Sequence, residues 1–356
     1  MNTPSARLSS LDALRGLDML IILGLDALVY ALYPIYGGSG FWSTLREQMG
    51  HAEWEGMRLY DCVFPLFVYI AGMSMCFSQL RSLGTPAWKV LLKLWWRAII
   101  LVLLGFLVNG AITWDTDNMR FASVLGLIGI SGAMAGSLAL LWKGRLIPCL
   151  VVAALILIGV GTAQYLGGDF TPGGSFNAKV DALMCPGVLY SRSFDPEGPF
   201  CILSATALCL LGYCSGRVFL NVPGSWKRAL YLTLAALPLL IGGWFLPCIK
   251  GIWTPGFVLF SAGVGAILIS LFHLLIDLPG LHKLSLPLRV IGLNALAAYV
   301  LTHLISFPAL THRLLGGTWA LFLNTEWQQV ANAASALLLA WFLCWFLYQK
   351  RVFIKL

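Results

Sequence analysis

Long apolar runs, each closed by a cluster of Gly, Pro or charged residues, recur along almost the whole chain. Runs near the roughly 20 residues that cross a hydrocarbon core fall at 16–35, 59–80, 90–110, 121–141, 146–166, 197–216, 229–247, 256–276, 288–308 and 330–349. The pattern predicts ten membrane helices. Most connections are short; the exceptions are 36–58, 167–196 and, of intermediate length, 309–328. Long loops in a compact membrane domain tend to carry function. The motifs show no internal repeat, so the expectation is an all-α polytopic bundle of about ten helices forming one transmembrane domain over 1–356.

Composition sharpens the class. Hydrophobic residues make up 59% of the chain, charged residues only 11%, and mean hydropathy is +0.84, against about 25% charged in soluble domains. With the N-terminus in the cytoplasm, all but seven of the 23 Lys and Arg residues fall on the cytoplasmic side, Arg7, Lys89, Lys227, Lys283 and Lys355 among them. The seven outside are Arg46, Arg58, Arg120, Lys179, Arg192, Lys250 and Arg313. The positive-inside rule then predicts both termini cytoplasmic, in a bacterial inner membrane. The net charge of +8 follows from this placement and calls for no nucleic-acid partner. Met1 to Arg15 lacks the apolar core of a cleavable signal, so the first helix is expected to stay. Cys185 and Cys248 fall in outer loops, and their pairing stays open.

Charges within the runs single out a few residues. Asp26 lies near the middle of the first run, where an isolated carboxylate costs about 2.5–3.5 kcal/mol on insertion scales. It should face a wet cavity, or else be protonated or hydrogen-bonded to a neighbouring helix. Asp12 and Asp18 each stand three residues from Arg15 and can pair with it. Asp61 opens the second run, where the helix dipole favours a carboxylate. Asp195 is expected to cap the sixth run with Pro196 at its first position. Glu197 and Gly198 are not needed for a cap, which leaves an outer-face ligand contact open. His51, in Gly50-His51-Ala52-Glu53-Trp54-Glu55-Gly56, is either an interfacial loop histidine or a proton-transfer group flanked by carboxylates.

Seven motifs occur in one order: Leu11-Asp12-Ala13-Leu14-Arg15-Gly16; His51-Ala52-Glu53-Trp54; Asp61-Cys62-Val63-Phe64-Pro65-Leu66-Phe67; Trp96-Arg97; Phe194-Asp195-Pro196-Glu197-Gly198; Gly292-Leu293-Asn294 with Tyr299; and Lys350-Arg351-Val352-Phe353-Ile354-Lys355. Together they resemble the transmembrane core of the heparan-alpha-glucosaminide N-acetyltransferase family and its bacterial relatives. The resemblance implies a transmembrane acyltransferase that takes acetyl-CoA from the cytosol and delivers the acetyl group to the amine of a glucosamine-like sugar or glycan on the other side. It implies that His51 is the active-site histidine and that Asp61 matches the aspartate heading the next span. It puts Asp26 where the lysosomal enzyme has an asparagine. Two departures are expected to matter. The family's luminal domain and its preceding helix are expected to be absent, and Gly126-Leu127 stands where the family carries a Gln-Arg pair.

Any such transfer needs a base for the attacking amine and a polar site for the developing oxyanion. His51 is expected to be that base, or the carrier of an acyl-imidazole. Asp26 or Asp61 would orient it, and Asn294 is a candidate oxyanion donor. Asp195 and Glu197 are candidate contacts to the acceptor. Arg15, Lys93 and Arg97 are candidates for the negative charges of coenzyme A, with the positive-inside rule as their plainer explanation. No metal is expected, the partners are donor, acceptor and lipid bilayer, and a homodimer stays open. The competing class is a proton-coupled transporter of a small polar solute, built on Asp26 and an outer histidine.

Overall fold

The computed structural model describes residues 8–38, 40–81, 84–110 and 119–353; Arg7 and Lys355 lie outside them. The chain is helical throughout these residues. Its α-helices are α1 (Ser9–Leu20), α2 (Asp26–Tyr36), α3 (Gly40–Gln48), α4 (Leu59–Arg81), α5 (Ala87–Val108), α6 (Val124–Leu141), α7 (Leu146–Gly167), α8 (Phe176–Met184), α9 (Pro199–Asn221), α10 (Ser225–Phe245), α11 (Pro255–Phe272), α12 (Leu286–Leu293), α13 (Ala295–Leu304), α14 (Phe307–Phe322) and α15 (Thr325–Gln349). Among the described residues, nine helical stretches are long and apolar enough to cross a membrane, and α12 with α13 makes a tenth if that bent pair is one span. This is a multi-pass integral membrane protein.

Three features depart from the hydropathy reading. The first span begins at Ser9 and runs to Tyr36, because the early charges are absorbed: Asp12 is buried and pairs with Arg15 at 3.5 Å. The ninth run is not one straight helix but two pieces bent by 71° at Asn294. The longer connections also carry helices of their own, α3, α8 and α14, whose shorter or more polar stretches do not register as spans.

The chain divides into two compact units. The first comprises residues 1–51, 58–63 and 271–355. Its α1 and α12 cross at glycines: a Cβ on Gly16 would overlap the Leu288 carbonyl, and one on Gly292 the Asp12 carbonyl. Small residues at a crossing let membrane helices approach backbone to backbone. The α1 end is tied by Ser10, whose N–H and Oγ donate to Asp277 at 3.2 and 2.5 Å, while His273 Nδ1 lies 3.0 Å from the same carboxylate. Between α1 and α2 the helix widens into a π-turn, Ile21–Leu25, containing Gly24 at φ 128°. That positive φ suits glycine alone and delivers Asp26 at the start of a new helical segment.

The second unit comprises residues 52–57 and 64–270. Its α4 and α9 also meet at glycines, Gly72 against the Cys209 carbonyl and Gly212 against that of Tyr69. Tyr69 is fully buried and donates its hydroxyl to Ser215 at 2.6 Å. A short turn, Lys250–Ile252, leads into α11 through Trp253, a fully buried indole held in the left-handed region at φ 47°, ψ 54°. Its ring meets Phe64 and Phe257 edge-on. Cys185 and Cys248 form no disulfide.

Candidate functional site

His51 sits in the first unit, on the connection between α3 and α4. That connection closes on itself through Arg58, whose Nη1 donates to the His51 carbonyl at 2.7 Å and whose Nη2 reaches Glu47 at 3.3 Å. Leu59 N–H donates to Gln48 Oε1 at 3.0 Å, so the start of α4 is pinned to the end of α3. Asp61 in the first turn of α4 is sealed, at 1% side-chain exposure, and takes Nδ1 of His51 on Oδ1 at 2.7 Å and the Arg58 N–H on Oδ2 at 3.2 Å. A carboxylate only accepts, so Nδ1 carries the proton and the basic lone pair of the ring is on Nε2. The imidazole is itself 53% exposed. A buried acceptor fixing the tautomer of a solvent-accessible imidazole is the arrangement a general base requires.

Asp26 approaches this pair through Tyr60. The Tyr60 hydroxyl is hydrogen-bonded to Asp26, and its ring packs edge-on against His51 with centroids 4.8 Å apart. Of the two carboxylates expected to orient the histidine, Asp61 makes the contact and Asp26 lies one residue removed, behind Tyr60. Tyr60 escaped the sequence reading, although its place directly before Asp61 in the first turn of α4 was the available signal. Glu53 and Glu55 are exposed, and the carboxylate bonded to the ring is Asp61.

Arg15 and Asn294 also belong to the first unit. Arg15 pairs with Asp12. Asp18 is buried, and its Oδ2 has no hydrogen-bond partner. Asn294 is fully buried, with neither side-chain polar atom bonded. Lys93 and Arg97 lie in the second unit, exposed and four residues apart on α5.

A second polar constellation lies within the second unit. Arg120 Nε and Nη2 clamp Asp195 at 2.7 and 2.5 Å, Nη2 also pairs with Glu197, and the guanidinium lies over Tyr190 at 4.9 Å. The Asp195 carboxylate further accepts the N–H groups of Tyr190 and Glu197 at 3.1 and 3.0 Å. Its own N–H donates to Asp181 at 2.9 Å. Asp195 therefore caps no helix: α9 starts at Pro199 behind Gly198, and the carboxylate that was expected at its N-terminus is engaged by Arg120 instead. Arg120 is placed by backbone pairing of its segment with Gly187 and Val188 and by the Asn109 side chain, which donates to Ala122 O at 2.6 Å.

Charges in this constellation are tuned by their surroundings. Burial works against ionised Asp195, but the Arg120 guanidinium and the N–H donors outweigh it and hold the carboxyl below its usual range. Burial pushes Glu197 up to about 7, Arg120 opposing and Asp195 adding to the rise. Burial likewise raises Asp181 to about 6, its second oxygen lacking any partner. Arg120 and Asp181 were not singled out as site residues from sequence; a lone arginine facing an Asp-Pro-Glu segment 75 residues on leaves no local spacing to read. Among the described residues no group of three His, Cys, Asp or Glu side chains is arranged to hold a metal ion.

No protein-family model matches the chain. It is 24% identical over 364 residues to human heparan-alpha-glucosaminide N-acetyltransferase and 24% identical over 367 residues to the mouse protein, in each case across 83% of this chain. The aligned part spans about half of each relative's length, 52% and 54%. Over most of its length, then, the chain is a distant homologue of heparan-alpha-glucosaminide N-acetyltransferase.

Proposed function

We propose that the protein is a transmembrane N-acetyltransferase that moves an acetyl group from cytosolic acetyl-CoA to the amine of an amino sugar or glycan on the outer face. The observation that carries this reading is the buried Asp61 holding His51 by Nδ1 at 2.7 Å, in a membrane protein homologous to an N-acetyltransferase. In the reaction, Nε2 of His51 takes a proton from the attacking amine as its nitrogen bonds to the thioester carbon. The tetrahedral intermediate then collapses, the C–S bond breaks, and the proton leaves with the thiolate as free thiol. Asp61 stabilises the imidazolium formed on the way. An acyl-histidine route uses the same nitrogen as nucleophile and passes the acetyl group on in a second step.

The excess of basic residues at one set of loops supports both termini inside, with His51 and Glu197 outside. Arg15 in the first unit, and Lys93 with Arg97 in the second, are each candidate cations for the phosphates of the donor. Asn294 is assigned to substrate binding. Glu197 is assigned to the acceptor, and Asp195 is the residue that positions Glu197 through Arg120. The test is purified protein in detergent with acetyl-CoA and glucosamine: free thiol and acetylated amine should appear together. A solute transporter has no gradient to use in detergent and yields neither product, and that result would remove the enzymatic reading.

A further inference from the structure

The connection that carries His51 opens with a seam between α2 and α3, all of it within the first unit. Tyr30, Tyr33 and Tyr36 recur every third residue on α2, and Trp42 and Arg46 stand one turn apart on α3. Tyr36 and Trp42 stack with centroids 5.2 Å apart and planes 16° from parallel, and Phe41 meets Trp42 edge-on. A turn further back, the Arg46 guanidinium lies 4.5 Å from the centre of the Tyr33 ring and 5.8 Å from that of Tyr30. Stacking occupies the face of a guanidinium and leaves the N–H groups on its edge to find other partners. Arg46 is exposed, and among the described residues its side chain has no carboxylate partner. Arg58, the other arginine of this connection, is taken up by Glu47 and the His51 carbonyl. A guanidinium held in place with its donors unspent is suited to an anion.

Depth along the first span narrows the choice of anion. The span ends at Tyr36, and Tyr33 and Tyr30 fall short of that end by roughly 4.5 and 9 Å at about 1.5 Å per residue. Helical side chains lean toward the N-terminus, here back into the span. Arg46 therefore folds down beside the last turns of a membrane helix, at the headgroup level where tyrosine and tryptophan concentrate. His51 shares that level: a Cβ on Gly50 would come 3.0 Å from the Tyr30 hydroxyl, and the imidazole packs on Tyr60, which Tyr30 also neighbours. An amine meeting Nε2 there is met within the headgroup layer, and the anion native to that layer is a phosphate joined to a lipid.

We propose that the acceptor is an amino sugar carried on a lipid through a phosphate, the phosphate held by Arg46 on the faces of Tyr33 and Tyr30 and the amine presented to Nε2 of His51. This rests on the acetyl-transfer reading above and names the acceptor class for that site. Arg46 sets the preference for the charged acceptor, and His51 carries out the same proton transfer as before.

The experiment measures acetyl transfer in non-ionic detergent to glucosamine, glucosamine 1-phosphate, decyl glucosaminide, which has a tail and no phosphate, and glucosamine 1-(decyl phosphate), which has both. Wild type, Arg46→Gln and Arg46→Lys are compared by ratios of kcat/KM. In wild type the decyl phosphodiester should exceed the neutral decyl glycoside by roughly ten- to hundred-fold, the gain from hydrogen bonds to a charged group. Arg46→Gln should bring that ratio to within about two-fold of unity, and Arg46→Lys, which keeps the charge without the planar fork, should retain part of it. An unaltered ratio in Arg46→Gln overturns the assignment. So does glucosamine 1-phosphate serving as well as its decyl ester, since the acceptor would then be a soluble anion. An equal loss on all acceptors with a lowered melting temperature also overturns it, because the guanidinium would only be holding α3 on α2. If wild type acetylates none of them, the acetyl-transfer reading itself falls, a result distinct from a lost ratio in a working enzyme.

Discussion

Asp61 and His51 form an asymmetric pair, 2.7 Å apart, with the carboxylate 1% and the imidazole 53% exposed. The acid is buried and the imidazole is open to its surroundings. Replacing Asp61 by Asn leaves the size unchanged but offers Nδ1 an N–H in place of an acceptor. The ring then shifts its proton to Nε2, the nitrogen that has to be basic. Asp61→Asn should lower kcat by about 10²–10⁴-fold, the span of general-base catalysis, with acetyl-CoA binding unchanged, and His51→Gln should fall at least as far. Near wild-type turnover in His51→Gln at full donor occupancy would exclude both the base and the acyl-histidine routes.

Tyr60 relays the position of Asp26 to the imidazole. The tyrosine hydroxyl can donate to an amide oxygen as well as to a carboxylate, so Asp26→Asn should retain activity within about tenfold of wild type, the loss of a single hydrogen-bond increment. Tyr60→Phe keeps the edge-on ring but loses the tie to Asp26. It should reduce kcat without changing KM for the donor. Steady-state kinetics of the two variants checks this split, and a larger loss in Asp26→Asn than in Asp61→Asn would reverse their roles.

Glu197 carries a pH dependence whose sign follows from its raised pKa of about 7. The folded protein holds the proton more tightly than the unfolded chain, where a glutamate titrates near 4.3. Its contribution to stability is therefore fully present below about pH 4.3 and is lost as pH rises through about 7. Asp195, held low, acts oppositely, stabilising above its unfolded value and losing that contribution in acid. Glu197→Gln mimics the protonated form, so its melting temperature relative to wild type should rise by about a few degrees between pH 5 and pH 8. Thermal unfolding in detergent at the two pH values is the measurement; a difference independent of pH contradicts the assignment.

Gly292 and Gly16 form a contact that no other residue type fits, each Cα lying against a backbone carbonyl of the other helix. Backbone cannot rotate away as a side chain can, so Gly292→Ala must force α1 and α12 apart, at about 1–3 kcal/mol or more for overpacking. Gly132→Ala in α6 is the control, since a Cβ there meets nothing within 4 Å. The first should lower the melting temperature by about several degrees and the second leave it level or slightly higher.

Hydropathy made the spans legible because a helix exposed to lipid has to be apolar along its whole length, and ends such as Leu146–Gly167 and Thr325–Gln349 fall close to where the runs end. The bend at Asn294 was not legible, since a buried polar residue between Leu293 and Ala295 barely changes the mean of a long window. His51 and Asp61 could be paired from sequence because ten residues of chain and one helix start bring them together. Arg120 with Asp195 could not, because only the tertiary fold closes a separation of 75 residues. The misplaced cap followed from reading Asp195-Pro196 locally. Pro199 holds the first-turn position, and the acid answers to a distant cation instead.

Trp253 fixes how freely its position can vary. A bulky residue in the left-handed region costs about 1–2 kcal/mol of backbone energy, which glycine would recover, while emptying a buried aromatic volume costs about 3–5 kcal/mol. Glycine thus loses more than it regains, and alanine suffers both penalties at once. Truncation to either residue therefore leads downhill in stability, even though the backbone there favours a different amino acid. In a random mutational library, folded variants carrying glycine or alanine at this position should therefore be depleted, and with them the small residues through which a codon-by-codon drift of the site would have to pass.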